Sequence, residues 1–122
     1  YTDPSGLNPY NSQLSTITIK WDESSTDEVK QERIITQKWI ANWMLGNEAW
    51  ADYRRTGYPK LIPTTDEGNM SGGTVDNKKG ARRMPYPSAE YIDNTVNVQY
   101  AVNNYLKRAD NMATDLWWAC KP

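Results

Sequence analysis

The sequence predicts a mainly α chain interrupted by long irregular loops. Three observations carry that reading. Apolar residues recur at helical spacing from about Glu28 to Tyr53. A second helical stripe runs through Val98, Ala101, Val102, Tyr105 and Leu106. Between them, from about Lys60 to Pro87, the chain is polar and rich in glycine.

Taken in order, residues 1–27 read as irregular. Residues 1–16 are rich in Pro, Asn and Ser, and Ile17-Thr18-Ile19-Lys20-Trp21 alternates apolar and polar side chains as a short strand or extended segment does. A polar linker, Asp22 to Asp27, leads to the first helix, with Thr26 or Asp27 suited to cap it. The spacing predicts one long helix over about 28–53. At 100° per residue Ile35, Trp39, Trp43, Gly46, Trp50 and Tyr53 fall along one line. A glycine inside a helix costs about 0.5–1 kcal/mol, so Gly46 is expected to permit close approach of a packed neighbour. Gly46→Leu is then expected to destabilise by overpacking. Ile34, Ala41, Met44, Leu45 and Ala51 lie on the other side. A helix apolar on two sides is buried on two sides, which predicts more polypeptide around it than this chain supplies.

Arg54 and Arg55 suit the negative end of that helix, Gly57 the reversal beyond it, and Pro59 blocks continuation. The loop of about 60–87 carries Asp66-Glu67-Gly68, Ser71-Gly72-Gly73 and Lys78-Lys79-Gly80. With few apolar residues to offset backbone entropy, its stretch from about Lys60 to Gly80 is expected to be a mobile surface segment. Arg82-Arg83-Met84-Pro85-Tyr86-Pro87 closes it in extended form. The second helix is expected over about 94–108, ending on Lys107 and Arg108.

Composition narrows the chemistry. The chain has 122 residues and a mass of 14.0 kDa, the size of one domain or less. Leu, Ile and Val are scarce, but six Trp and eight Tyr supply buried area instead. The absence of His excludes Ser-His-Asp and Cys-His catalysis, His-ligated zinc and a histidine pH switch. The single Cys, Cys120, excludes an internal disulfide and a Cys-x-x-Cys metal site. A net charge of −1 and a pI of 5.4 point away from nucleic acid. No cofactor, metal ligand set or catalytic residue is indicated.

Several residue groups have candidate chemistry. Glu48 and Asp52 are one helical turn apart, but two carboxylates on one helix do not straddle a sugar. They read as ion-pair partners, Asp52 for Arg54 or Arg55. Asp22, Glu23, Asp27 and Glu28 lack the calcium-loop pattern and read as a solvated linker and cap. Arg54, Arg55, Arg82 and Arg83 suit an anion, or else carbonyl capping and pairing with Glu48, Asp52 or Glu90. Trp39, Trp43 and Trp50 sit at core spacing. Tyr10 and Trp21 lie outside regular helix and are the candidate ligand-contacting aromatics.

One string exceeds periodicity. Ile35-Thr36-Gln37-Lys38-Trp39-Ile40-Ala41, followed by Gly46-Asn47-Glu48-Ala49-Trp50-Ala51-Asp52-Tyr53-Arg54-Arg55-Thr56-Gly57-Tyr58-Pro59, resembles the signature of the SusD/RagB family. Arg82 to Tyr91, the Asn97-Val98 to Ala101-Val102 helix, and Asp110-Asn111-Met112 leading to Leu116-Trp117-Trp118 resemble the same family in the same order. The resemblance runs from about Ile17 to the C-terminus. It implies the C-terminal portion of a longer helical fold with tetratricopeptide-like helix pairs. It also implies a lipid anchor on another part of that protein, at the surface of the bacterial outer membrane. The implied function is non-catalytic glycan binding, with ligand passed to a SusC-like TonB-dependent transporter. The matched residues Trp39, Gly46, Trp50, Arg54, Arg55, Arg82 and Arg83 are implied to be scaffold rather than ligand contacts. A structural docking scaffold and a glycoside hydrolase fragment are the competing readings.

Overall fold

The computed structural model describes residues 15–119. Tyr10 and Cys120 lie outside them. Four α-helices are present: α1 (Asp27–Ala41), α2 (Gly46–Thr56), α3 (Ser88–Asp93) and α4 (Thr95–Ala101). A π-helical turn, Val102–Leu106, extends α4, and a 3-10 turn spans Trp117–Ala119. Among the described residues there is no strand, only one antiparallel bridge between Asp76 and Gly80. The chain divides into two compact units, residues 1–62 and 63–122.

In the first unit the segment around Ile17–Trp21 forms no strand. It is pinned to α1 by hydrogen bonds from Ser15 Oγ to Glu32 Oε1 (2.5 Å) and from Arg33 Nε to the Thr18 carbonyl (2.9 Å). Thr26 caps α1 as its side chain accepts from the Val29 N–H, with Asp27 and Glu28 in the positively polarised first turn.

The single long helix expected over 28–53 is instead two helices. The chain leaves helical geometry at Asn42 and re-enters it at Gly46. Lys38 shows the consequence. Its Nζ lies 2.8 Å from Glu48 Oε1 and 2.6 Å from Asp52 Oδ2. In a continuous helix, rising 1.5 Å per residue, Lys38 and Asp52 would stand about 21 Å apart. The turn therefore folds α2 back on α1 and closes an ion triad between them. Gly46 falls at the start of α2, not in mid-helix, and a Cβ there would meet nothing within 4 Å. The expected close approach at Gly46 is thus absent among the described residues.

Helix α2 ends as the sequence predicts. Gly57 takes the left-handed conformation (φ 78°), and its N–H closes on the Tyr53 carbonyl at 2.8 Å. Tyr58 then turns back, and its hydroxyl donates to Glu28 Oε1 at 2.5 Å. This ties the residues after α2 to the first turn of α1.

In the second unit the Gly-rich loop is hydrogen-bonded to itself. Thr64 N–H donates to the Asn77 carbonyl (3.0 Å), and the Asn69 amide donates to the Val75 carbonyl (3.0 Å) and to Asn77. Asp76 Oδ1 accepts from the N–H groups of Lys78 and Lys79. Local polar bonding replaces the apolar burial that the segment lacks. The second helix, expected over 94–108, is shorter in regular α form, and its last turn is π-helical.

The interior of each unit is small and largely polar. Glu32, Arg33, Asp52 and Thr56 are buried alongside Ile35 in the first, and Arg82, Arg83 and Thr114 alongside Val98 in the second. Large apolar side chains meanwhile stay exposed, among them Ile34, Ile40, Met44 and Leu45. The prediction of one helix buried on two sides is not met among the described residues: Met44 and Leu45 fall in the break between α1 and α2, and these side chains are exposed.

Candidate functional site

Trp21 is the one candidate ligand-contacting aromatic that the structure describes. Its residue is 49% exposed. Its indole N–H donates to the Glu23 carboxylate, which fixes the ring. Two cations of α1 approach the ring: Lys30 Nζ at 5.9 Å and the Arg33 guanidinium at 6.0 Å from its centroid. Lys30 is also 3.9 Å from Glu23. Next to it, Asp22 accepts from the Ser24 hydroxyl (2.7 Å), the Ser24 N–H (3.0 Å) and the Ser25 hydroxyl (3.0 Å). The Ser24 hydroxyl, then the Ser24 N–H and Ser25, hold its carboxyl below the ordinary range. An anchored, half-exposed indole edged by hydrogen-bonding side chains is the chemistry of a stacking platform for a polyhydroxylated ring.

The aromatic line of the sequence becomes a groove. Trp39 and Trp43 from the end of α1 and its turn face Ala49, Trp50 and Tyr53 of α2, with Leu61 beyond, around about 330 Å³. Trp43 is 78% exposed. The Arg54 guanidinium stacks 3.6 Å from the Trp50 ring centroid. Arg55 pairs with Asp52 at 3.0 Å, as the sequence allows. Hydrogen bonding from Lys38 is the largest influence on Asp52. Together with Arg55 it outweighs burial and keeps the carboxyl below its ordinary value, while the bonds to Asp52 and Glu48 raise Lys38. Glu48 and Asp52 thus serve one lysine between two helices.

Arg82 and Arg83 are buried in ion pairs, with partners other than those expected. Arg82 Nε donates to Asp115, which also takes Lys79 Nζ at 3.1 Å. Arg83 donates to Asp110, which accepts as well from the Tyr86 N–H (3.1 Å) and the Tyr91 hydroxyl (2.6 Å). Glu90 binds the Asn94 amide instead. The sequence offered no signal for these pairs, which span 33 and 27 positions. Among the described residues no group of three His, Cys, Asp or Glu is placed to hold a metal ion.

Residues 1–119 match the SusD-like family, described as Susd and RagB outer membrane lipoprotein. No curated protein matches. Among solved structures, a SusD homolog from Bacteroides uniformis ATCC 8492 is 73% identical, with a TM-score of 0.87 over 99% of this chain and 25% of that one. A SusD homolog from Bacteroides ovatus ATCC 8483 is 48% identical, with a TM-score of 0.78 over 88% of this chain and 22% of that one. A chitin-binding SusD homolog from Flavobacterium johnsoniae is 40% identical, with a TM-score of 0.80 over all of this chain and 25% of that one. The chain therefore spans about a quarter of the length of these relatives.

Proposed function

Since the chain belongs to the SusD/RagB family of outer-membrane lipoproteins, we propose that it is part of a non-catalytic, glycan-binding protein of the bacterial outer-membrane surface, one that passes captured oligosaccharide to a SusC-like TonB-dependent transporter. The observation that carries the glycan reading within this chain is Trp21, an exposed indole held by Glu23 outside the helices. A pyranose stacks its apolar face on such a ring while nearby carboxylates and hydroxyls take its hydroxyl groups. The chitin-binding relative supports the ligand class. Tyr10 is a second candidate contact, outside the described residues. The carboxylates nearest to an acid/base pair, Glu48 and Asp52, are both bonded to Lys38, which speaks against hydrolysis. Affinity electrophoresis of the complete protein through gels holding soluble polysaccharides tests the reading. Retardation in at least one gel, diminished by Trp21→Ala, is expected. Unretarded migration in every gel overturns it.

A second role attaches to the Trp39–Trp50 groove. Its apolar lining and the exposed Trp43 favour a docking face for the remaining polypeptide of the same protein. The relatives, four times as long, supply ample chain for this. Trp43→Ser is then expected to lower the melting temperature of the complete protein. An unchanged melting temperature overturns the docking role.

A further inference from the structure

We propose that the groove where α3 meets α4 is a second sugar-contacting site, one that takes an uncharged, hydroxyl-bearing sugar ring. This deepens the glycan reading above and rests on it. The groove has a volume of about 380 Å³, which is within the range of small-molecule sites. Tyr86 and Pro87, from the extended segment before α3, line it together with Val98 and Ala101 of α4. Its polar lining is Glu90, Asn94 and Asn97. Apolar walls beside a few placed polar groups are how small ligands are held and oriented.

The three polar side chains form a row. The Asn97 amide donates to Asn94 Oδ1 at 2.6 Å, and the Asn94 amide donates to Glu90 Oε2 at 2.9 Å. Mutual bonding fixes the row and leaves much of its capacity open. Glu90 Oε1, Asn97 Oδ1 and one N–H of each amide have no partner among the described residues. A hydroxyl both donates and accepts, so neighbouring hydroxyls of one sugar ring match such a row. The row sets this groove apart from the Trp39–Trp50 groove, whose largely apolar lining suits polypeptide.

The aromatic wall is held in place. The Tyr86 N–H donates to Asp110, and the Arg83 guanidinium lies 5.0 Å from the Tyr86 ring centroid. Arg83 and Asp110 are themselves a buried ion pair. Buried pairs contribute little net stability over apolar packing. Here the pair fixes the ring against which the apolar face of a sugar packs.

The test is an array of neutral oligosaccharides, probed with the complete protein and with its Asn97→Ala and Asn97→Trp variants. Asn97 is exposed, so both substitutions spare the interior. The first removes one end of the row, and the second fills the groove. At least one bound glycan is expected to lose signal about fivefold in Asn97→Ala, the loss typical of one net hydrogen bond. Asn97→Trp should lower that signal further, and the melting temperature of both variants should stay unchanged. Signals unmoved by Asn97→Trp would overturn the groove site while leaving the glycan reading standing. Loss in Asn97→Trp alone would contradict the role given to the polar row. Signals that fall together with the melting temperature would also overturn the site, and would mark the groove as packed against other polypeptide of the same protein. An array on which the unaltered protein binds nothing removes the glycan reading, and the groove site with it.

Discussion

Asp110 and Arg83 form a buried ion pair across 27 positions of sequence, each side chain less than a tenth exposed. The same carboxylate accepts from the Tyr86 N–H and the Tyr91 hydroxyl. One aspartate thereby joins the extended segment after the loop, α3, and the stretch beyond the π-helical turn. Removing one partner of a buried pair strands the other, at a typical cost of about 3–5 kcal/mol. Asp110→Ala is expected to destabilise the second unit by about 3 kcal/mol. Denaturant titration of the variant checks this, and a loss under 1 kcal/mol would contradict it.

The same site sets an acid limit. Burial pushes the Asp110 carboxyl up, but the Tyr91, Arg83 and Tyr86 hydrogen bonds outweigh it, and its pKa lies below the ordinary carboxylate value. Asp115 behaves alike: burial raises it, while Arg82 and Lys79 bring it down. A depressed folded-state pKa contributes stability that is fully present above the unfolded value of about 3.9. That stability is lost as pH falls through the lower folded value. Stability followed by circular dichroism should be flat from neutral pH to about 5 and fall below about 4. Asp110→Asn should flatten the fall.

The Lys38 triad predicts unequal effects for its two carboxylates. The Asp52 side chain is 11% exposed and that of Glu48 55%. Exposed pairs contribute about 0–1 kcal/mol, buried ones more when broken. Asp52→Ala should cost about 1–2 kcal/mol and Glu48→Ala under about 0.5 kcal/mol in thermal melts. Equal losses would mean that the helix pair does not depend on the buried carboxylate.

Gly46 gives a prediction of reversed sign from that expected for a packed helix face. With open space around its Cβ position, Gly46→Ala should leave stability unchanged or raise it by up to about 1 kcal/mol. A loss above 1 kcal/mol in the complete protein would show that polypeptide beyond the described residues packs against this position.

How far the sequence could be read follows from the range of the forces involved. The Thr26 cap, the Gly57 reversal and the helical stripe of α4 are local, so residue type and spacing revealed them. The break at Asn42–Leu45 carried only a faint signal, an Asn and a Gly bracketing Trp-Met-Leu, and continuous aromatic periodicity masked it. The Lys38 triad that bridges the two helices is a contact that exists only once the chain has folded back. The partners of Arg82 and Arg83 were hidden for the same reason. Charge type announces that an arginine will pair, but which of fifteen acidic residues it meets is decided by tertiary geometry. That Trp21 stays half-exposed was legible because it stands outside the periodic stripes that build the helices.

The central claim is capture of glycan without cleavage, with Trp21 as a contact. Its most direct test is titration calorimetry of the complete protein with an oligosaccharide that the array identifies, paired with chromatography of the sugar after prolonged incubation. The account predicts saturable binding, an affinity reduced at least tenfold by Trp21→Ala, and an oligosaccharide recovered at its original length. Undiminished binding by Trp21→Ala, or the release of shorter products, would contradict it.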